Sequence, residues 1–256
     1  MDLKELPRHA FARHPWERVR ADFFLGLLRR KIGNEGLSAL DIGAGDAYFA
    51  GRLLADGPAV ARVTCYDTGY GAAWLQEQAA ARPGLAFTAK RPGETFGLVL
   101  LLDVLEHAAD DRALLDEAIA SAAQPGGWLL LSAPAHPILF SRHDELLGHK
   151  RRYSPAGLRA LATQAGLAIA ADGQLFTGLL LPRALAKLCE AMPSRKVAAP
   201  PAADHIETAL GTWHHGPMVT LAARKLLGLD AAVCRLAADR RFPLPGLTAW
   251  VLARRQ

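Results

Sequence analysis

Glycine and carboxylate residues stand early in the chain with the spacing of a nucleotide-binding turn. Residues 40–47 read Leu-Asp-Ile-Gly-Ala-Gly-Asp-Ala and lie between an apolar stretch and a helical pattern. Glycine lets the backbone approach a ligand closely, and the N-terminus of the following helix favours negative charge. Asp67 ends the next apolar stretch, where a carboxylate can accept hydrogen bonds from both hydroxyls of a ribose. We therefore expect the turn and Asp67 to share one adenosyl ligand.

Histidine and arginine are concentrated in a second segment, residues 134–154. Its candidate proton acceptors are His136, His143 and His149, because imidazole has an unperturbed pKa of about 6.5. An alternative is that the charged residues of this segment form ion pairs that fix the loop. The three histidines lack a His-x-x-x-His spacing and a nearby cysteine pair, so no metal site is predicted.

Strand and helix patterns alternate along the chain. Strands are predicted at residues 37–42, 60–66, 85–89, 96–102, 128–133, 167–171 and 248–253. Helices are predicted at residues 16–32, 47–55, 74–81, 112–123, 155–165 and 218–240. This alternation predicts βαβ units, and therefore an α/β fold with a mostly parallel seven-stranded sheet and helices on both faces. Asp103 then lies where the fourth strand ends.

The whole chain, residues 1–256, is predicted to form one domain, because a chain of this length can bury one sizeable core. Its predicted parts are an N-terminal helix (14–36), a cofactor-binding core (37–174), a helical insertion (175–245) and the last strand (246–256). Residues 197–202 are predicted to be a flexible linker inside the insertion. The insertion itself is interpreted as a lid, as a surface for a lipid-linked acceptor, or as a helical layer that completes the core, with the last favoured.

Composition narrows the classes of function. Hydrophobic residues make up 51% and charged residues 21%, which favours a globular protein over a disordered one. Three widely spaced cysteines indicate neither a disulfide framework nor a structural zinc site. The charged N-terminus lacks a signal-peptide core and no apolar stretch is long enough to cross a bilayer, so we expect a cytoplasmic protein.

The formal net charge is +5, and the basic residues are spread along the chain. No RNA-binding motif accompanies them, so a nucleic-acid partner is not expected. The charge instead points to an anionic substrate or to peripheral contact with a membrane surface. The oligomeric state is left open.

Two further segments carry a combination that is typical of one enzyme family. Residues 96–107 read FGLVLLLDVLEH and residues 124–132 read QPGGWLLLS. With the glycine turn and Asp67, they resemble the motifs of class I S-adenosylmethionine-dependent methyltransferases over residues 14–171. The resemblance implies a Rossmann-like fold, S-adenosyl-L-methionine as the cofactor, and methyl transfer by in-line displacement. Gly97 stands where the family usually has aspartate, and Ala47 where it usually has glycine.

The resemblance also assigns a set of binding residues. The implied cofactor-binding residues are Asp41, Gly43, Ala44, Gly45, Asp67, Thr68, Asp103, Val104 and Leu105. His107 occupies a position that looks structural or close to the adenine rather than catalytic.

Residues 140–154, FSRHDELLGHKRRYS, resemble the HDxxxGHxRRY segment of a methyltransferase subgroup associated with glycans, lipids and secondary metabolites. Residues 14–20, HPWERVR, resemble the opening of the same subgroup. We predict His143 and His149 as the catalytic pair, one of them a general base where the acceptor is protonated. The predicted acceptor-binding residues are Trp16, His136, Arg151, Arg152 and Tyr153. The predicted acceptor is a small molecule or a lipid- or sugar-linked compound.

Two other functions are weighed against methyl transfer. A nicotinamide-dependent oxidoreductase would need glycine at position 48, where this chain has Tyr48, and the chain lacks a Tyr-x-x-x-Lys pair. A non-catalytic binding module is favoured by Ala47 and Gly97. The intact carboxylates and glycines of the cofactor set argue against it.

Overall fold

The computed structural model describes residues 13–33, 36–58, 60–122, 126–191, 213, 215–242 and 244–256. The strands are β1 Leu37–Ile42, β2 Val60–Tyr66, β3 Leu85–Thr88, β4 Leu98–Leu102, β5 Trp128–Pro134, β6 Leu167–Leu175 and β7 Thr248–Arg255. The helices are α1 Pro15–Lys31, α2 Tyr48–Asp56, α3 Ala72–Ala81, α4 Asp111–Ser121, α5 Arg142–Leu146, α6 Pro155–Gln164, α7 Leu180–Ala191 and α8 Pro217–Asp239. The linker predicted at residues 197–202 lies outside the described residues.

The seven strands form one sheet in the order β3-β2-β1-β4-β5-β7-β6. Strand β7 runs antiparallel to both of its neighbours, and the other observed pairs are parallel. The predicted α/β fold with a mostly parallel seven-stranded sheet is therefore confirmed. The strand order reverses between β1 and β4, and we call this place the switch point of the sheet. Ligands of such sheets bind in the crevice at the carboxyl ends of those two strands.

Helices cover both faces of the sheet and build two hydrophobic clusters. Strand β4 is buried on both faces, and Leu98, Val99, Leu100 and Leu101 are completely inaccessible. This burial is why the segment lacks the polar-apolar alternation of a half-exposed strand. The central strands thus form a rigid base for the loops at their carboxyl ends.

Strand β6 extends four residues beyond its predicted end at residue 171. The extension contains Asp172, Gly173 and Gln174, a polar run without the apolar pattern of a strand. Strand β6 is an edge strand, so polar side chains on it can reach solvent or partners. A Cβ on Gly173 would lie 2.8 Å from the ring of Trp250, so glycine is required for the two strands to pack here.

The described part of the insertion adds a helical layer to the core. Helix α8 packs against α1 and β6, and its residues Ala231 and Cys234 are buried in the same cluster as Trp250. These contacts support the core-layer interpretation for α8. No helix of the described residues is long and apolar enough to cross a membrane.

Candidate active site

The glycine turn after β1 depends on glycine at one position for two reasons. Gly43 has φ +68°, in the left-handed region, and its amide donates to the carbonyl of Tyr66 at 2.8 Å. A Cβ on Gly43 would lie 2.7 Å from Cγ2 of Val104, which follows β4. The turn and the segment after β4 are therefore in direct contact across the switch point.

Asp67 and the glycine turn lie together at the same edge of the sheet. The amide of Gly45 donates to Oδ2 of Asp67 at 3.0 Å, and the amide of Gly69 donates to Oδ1 at 2.8 Å. Asp67 is only partly buried, and Thr68 beside it is exposed. Each carboxylate oxygen keeps a lone pair for a further donor. The carboxylate can therefore accept hydroxyl donors while it fixes the turn.

Ala47 adopts a left-handed backbone conformation, which explains why the family that this chain resembles usually has glycine here. Its φ is +56° and its side chain is completely buried. Its amide donates to the carbonyl of Ala44 at 2.8 Å, which closes the turn before α2. Alanine in the left-handed region costs about 1–2 kcal/mol. The observed hydrogen bonds show that the turn keeps its geometry despite this cost.

Asp103 is the second carboxylate at this edge. It is contacted by Arg20, for which the sequence predicts no such role. Asp103 has φ +58° and accepts a hydrogen bond from Oγ of Ser132 at 3.0 Å. Its other carboxylate oxygen forms an ion pair with Arg20 of α1. The guanidinium of Arg20 also lies 5.1 Å from the ring centre of Trp16, so Arg20 contacts both Trp16 and Asp103.

A narrow cavity of about 40 Å³ lies between α1 and the glycine turn. Arg13 and Arg20 line it, and each forms an ion pair with a nearby carboxylate. The partner of Arg13 is Asp46 of the turn, and the partner of Arg20 is Asp103 after β4. These two ion pairs link the N-terminal segment to the turn and to the end of β4.

Asp41 lines the same cavity, and only 4% of its surface is exposed. Burial, together with the nearby carboxyls of Asp46 and Asp67, raises the pKa of Asp41 to about 7. A carboxyl whose pKa is higher in the folded chain than in the unfolded chain binds its proton more tightly when folded. The free energy of unfolding therefore falls as the pH rises from about 4 to about 7, and it stays lowered above that range.

Replacing Asp41 with asparagine is expected to remove this pH dependence. Relative to the unmodified chain, the Asp41→Asn variant should gain more than about 1 kcal/mol between about pH 5 and about pH 8, because one pKa unit corresponds to about 1.4 kcal/mol. Urea unfolding at both pH values measures the difference. The exposed Asp116, paired with Arg112 on α4, gives the matched control Asp116→Asn. A gain that is equal at both pH values would contradict the raised pKa.

Asp144 is the centre of a charged network in the loop after β5. Its completely buried carboxylate contacts Nδ1 of His149 at 3.0 Å and Nε of Arg152 at 2.8 Å. Arg183 of α7 donates to it at 2.8 Å, and the amide of Ser141 donates at 3.0 Å to cap α5. The ion-pair network considered for this segment is therefore present.

The network also sets the tautomer of His149. Although burial raises the pKa of Asp144, hydrogen bonds from His149 and Arg152 and the charge of Arg183 hold it well below its usual range. An ionised carboxylate only accepts hydrogen bonds, so Nδ1 of His149 must donate. In the neutral imidazole, Nε2 then carries the lone pair. His149 is thus equipped to accept a proton or to bind a cation.

The other predicted residues of this loop have different surroundings. His143 is partly buried, and burial followed by the charge of Arg183 lowers its pKa. Nε2 of His136 is buried and contacts no hydrogen-bond partner among the described residues. Arg151 donates to the carbonyl of Ala109 at 2.8 Å and pairs with Asp111 at 3.0 Å.

Tyr153 and Arg152 are likewise bound to the protein. The Tyr153 hydroxyl donates to Asp111 at 2.6 Å, and Arg152 donates to the carbonyl of Ala135 at 3.2 Å as well as to Asp144. Tyr153 and Arg151 thus hold the loop against the segment after β4, whereas Arg152 binds within the loop and at the end of β5. Their role in acceptor binding stays a prediction.

Glu106, His107 and His149 meet where this loop contacts the segment after β4. One potential ligand atom from each lies within 4.8 Å of the others. The rings of His107 and His149 are 4.8 Å apart, edge to face. Burial raises the pKa of Glu106 to about 8. His136 and His143 are not part of this group, so the three loop histidines considered as a metal set are not brought together.

The family comparison agrees with this architecture. Residues 9–171 match a family model described as a methyltransferase domain. The match covers more than half of the chain. The chain belongs to the methyltransferase domain family. No curated protein matches it by sequence.

Solved structures share the fold of this methyltransferase domain at low sequence identity. The [4+2]-cyclase SpnF has a TM-score of 0.57 at 15% identity, covering 97% of this chain and 84% of that chain. An S-adenosylmethionine-dependent methyltransferase from Mesorhizobium loti has a TM-score of 0.54 at 17% identity, covering 93% and 100%. The N-methyltransferase NodS from Bradyrhizobium japonicum WM9, in complex with S-adenosyl-L-homocysteine, has a TM-score of 0.50 at 14% identity, covering 94% and 88%. At this identity the similarity establishes the fold alone.

Proposed function

We propose that this protein is an S-adenosylmethionine-dependent methyltransferase that acts on a small-molecule, glycan- or lipid-linked acceptor. The observation that carries the proposal is the hydrogen bond from the Gly45 amide to the Asp67 carboxylate at the switch point of the sheet. This contact supports a role for the turn and for the Asp67 carboxylate in binding one adenosyl ligand. S-adenosylmethionine supplies a methyl group on a sulfonium, which leaves readily without further activation.

The residues of the turn region fit such a ligand. Asp67 would accept the ribose hydroxyls, and residues 43–45 would lie against the ligand through their backbone. Asp41 lines the cavity, and Asp103 at the end of β4 would offer its carboxylate to the cationic sulfonium or ammonium. Val104 and Leu105 follow Asp103 and would complete the cofactor site. The main tasks of the protein are then to align the acceptor and to exclude water.

We assign the acceptor side to the loop after β5. His149 presents the lone pair of Nε2 and is proposed to activate the acceptor, with His143 as the second residue of the predicted pair. Trp16 beside Arg20 would contact the acceptor, as would Nε2 of His136, which has no hydrogen-bond partner among the described residues. The resemblance to the HDxxxGHxRRY subgroup supports a glycan- or lipid-linked compound.

The surface of α7 and α8 supports a lipid-linked acceptor in particular. Leu181, Leu185 and Leu188 of α7 are exposed. Leu226 and Leu229 of α8 are exposed as well. Apolar side chains on helices that also carry basic residues favour contact with an anionic membrane surface. Such peripheral contact, like a cytoplasmic location, stays a prediction.

Calorimetry with S-adenosyl-L-homocysteine tests the proposal, and Asp67 provides the sharpest variant. Asp67→Ala is expected to weaken binding by about 1–3 kcal/mol, or about 5–150-fold, because the ligand loses hydrogen bonds to a charged group. Asp116→Ala, on the exposed side of α4, should bind like the unmodified chain. A thermal melt of each variant separates lost binding from lost folding. Unchanged affinity in Asp67→Ala would overturn the assignment of this residue.

Calorimetry with NADH and a screen of acceptor compounds discriminate the other two functions. Binding of NADH in place of S-adenosyl-L-homocysteine would indicate an oxidoreductase. Cofactor binding without methyl transfer to any compound in an acceptor screen would indicate a binding module. Release of S-adenosyl-L-homocysteine in the presence of one acceptor class would establish the transferase and its substrate together.

A further inference from the structure

Three residues that the proposed function does not combine form a compact group next to the cofactor cleft. Glu106 and His107 belong to a 3-10 turn, Leu105–His107, directly after Val104. His149 approaches from the loop after β5 because the amide of Lys150 donates to the carbonyl of Glu106 at 2.8 Å. Two separate segments of the chain are thus held together by a backbone hydrogen bond at the position of the group.

Glu106 is the member whose environment is hardest to explain by folding alone. Its side chain is completely buried, and neither carboxylate oxygen has a hydrogen-bond partner among the described residues. A buried polar group without a partner costs roughly 1–3 kcal/mol and more for a charged group. An apolar residue of similar size would avoid this cost. A cation that binds the carboxylate would compensate for it.

His149 has the arrangement of a metal ligand with its supporting carboxylate. Histidine ligands usually donate their other ring N–H to a carboxylate or carbonyl, which fixes the ring and makes the ligating nitrogen more basic. Nδ1 of His149 contacts Asp144 at 3.0 Å, so Nε2 is the nitrogen available to a cation. Asp144 is itself fixed by Arg152 and Arg183.

His107 completes the group from the other side. Its ring is edge to face with that of His149, and Gly148 lies beside it. A Cβ on Gly148 would lie 4.0 Å from Nδ1 of His107. A tetrahedral ion with bonds of about 2.0–2.1 Å holds its ligands about 3.4 Å apart. The ligand atoms, now within 4.8 Å of one another, would need to approach by roughly an ångström.

We propose that Glu106, His107 and His149 bind one divalent first-row transition-metal ion at the acceptor side of the cleft. Two imidazoles and one carboxylate suit Zn²⁺, Fe²⁺ or Co²⁺ better than Mg²⁺ or Ca²⁺, which prefer oxygen ligands. Three protein ligands leave at least one position open, as catalytic sites do. The sequence predicted no metal site, because only the histidines of the loop after β5 were considered. In the proposed site, Glu106 and His107 come from the segment after β4 instead.

The consequence for the reaction rests on the proposed function. An acceptor hydroxyl at the open position would have a lowered pKa, as metal-bound water does, and would release its proton to solvent. The oxygen then attacks the methyl carbon, and the bond from that carbon to sulfur breaks with its electron pair left on sulfur. With the ion bound, Nε2 of His149 is a ligand, so the ion takes over the activation of the acceptor that the proposed function assigns to this imidazole. An oxygen nucleophile is the acceptor class that this site fits.

Titration with Co²⁺ tests the site, because this ion replaces Zn²⁺ and absorbs visible light when bound. The full chain, without an affinity tag and stripped with a chelator, is titrated by calorimetry and absorption. We expect one Co²⁺ per chain. The variants Glu106→Gln and His107→Asn each lose one ligand and should bind at least about 100-fold more weakly, beyond the roughly 10–100-fold typical of supporting residues.

His143→Asn is the matched control, since His143 lies in the same loop outside the group and its loss should leave Co²⁺ affinity unchanged. His107 is partly exposed, so His107→Asn keeps the test decisive if Glu106→Gln fails to fold. No Co²⁺ binding, or equal binding by all variants, would overturn the metal site. Calorimetry with S-adenosyl-L-homocysteine on the same samples reports separately on the proposed function, so that either can fail without the other.

Discussion

Replacing Asp144 with alanine is expected to lower the free energy of unfolding by about 3–5 kcal/mol, because removing one partner of a buried ion pair leaves buried charge uncompensated. The carboxylate is completely buried and binds His149, Arg152 and Arg183. It also caps α5 through the amide of Ser141. Its loss therefore takes a buried counter-charge away from Arg152 and Arg183.

Urea unfolding of Asp144→Ala measures the loss, and a second aspartate provides the control. Asp172 forms an ion pair with Arg159 on the exposed side of β6, and about half of the Arg159 side chain is accessible. Exposed pairs contribute about 0–1 kcal/mol, so Asp172→Ala should change stability little. A loss below about 1 kcal/mol in Asp144→Ala would contradict the role of the network.

The fold could be predicted from the sequence because its signals are local. Strand β4 is a continuous apolar run, and the glycine turn and Asp67 each follow a predicted strand. In a parallel sheet, strand ends at one edge come together, so the contact between Gly45 and Asp67 follows from the strand pattern. The short helix α5 and the last four residues of β6 were not predicted, because their polar residues are typical of loops.

For the charged loop after β5, the sequence predicts which residue types are present but not which partners they bind. Its sequence does not say whether an arginine faces a ligand or a carboxylate of the same chain. Arg152 binds Asp144, eight residues earlier, and Arg151 binds Asp111 of α4. Such partners depend on how the loop lies on the segment after β4. The two interpretations of this loop could therefore be separated only by its tertiary contacts.

Residues that meet from distant segments were missed for the same reason. Arg20 is one of several arginines in α1, and nothing in its neighbourhood indicates an ion pair with Asp103. Glu106 looks like a surface residue at the start of a helix, yet it is completely buried beside His149. The pairing of Lys150 with Glu106 that brings them together is a backbone hydrogen bond, which carries no sequence signature.

Gly43→Ala is expected to lower the free energy of unfolding by about 2–4 kcal/mol, because left-handed backbone strain and overpacking add to each other. The new methyl group would lie 2.7 Å from Cγ2 of Val104, a short branched side chain with little freedom to move. The turn would have to shift away from the segment after β4. We therefore also expect affinity for S-adenosyl-L-homocysteine to fall at least about 10-fold.

Two further variants separate the causes of this effect. Gly51→Ala in α2 is the matched control, since a Cβ there meets no atom within 4 Å and alanine favours the helix. In the double variant Gly43→Ala, Val104→Ala, the steric contact is removed but the left-handed backbone at position 43 remains. Partial recovery of cofactor affinity would show that contact with Val104 sets the width of the cleft. Full retention of affinity in Gly43→Ala alone would mean that the turn does not touch the ligand, because a displaced turn could not leave a direct contact intact.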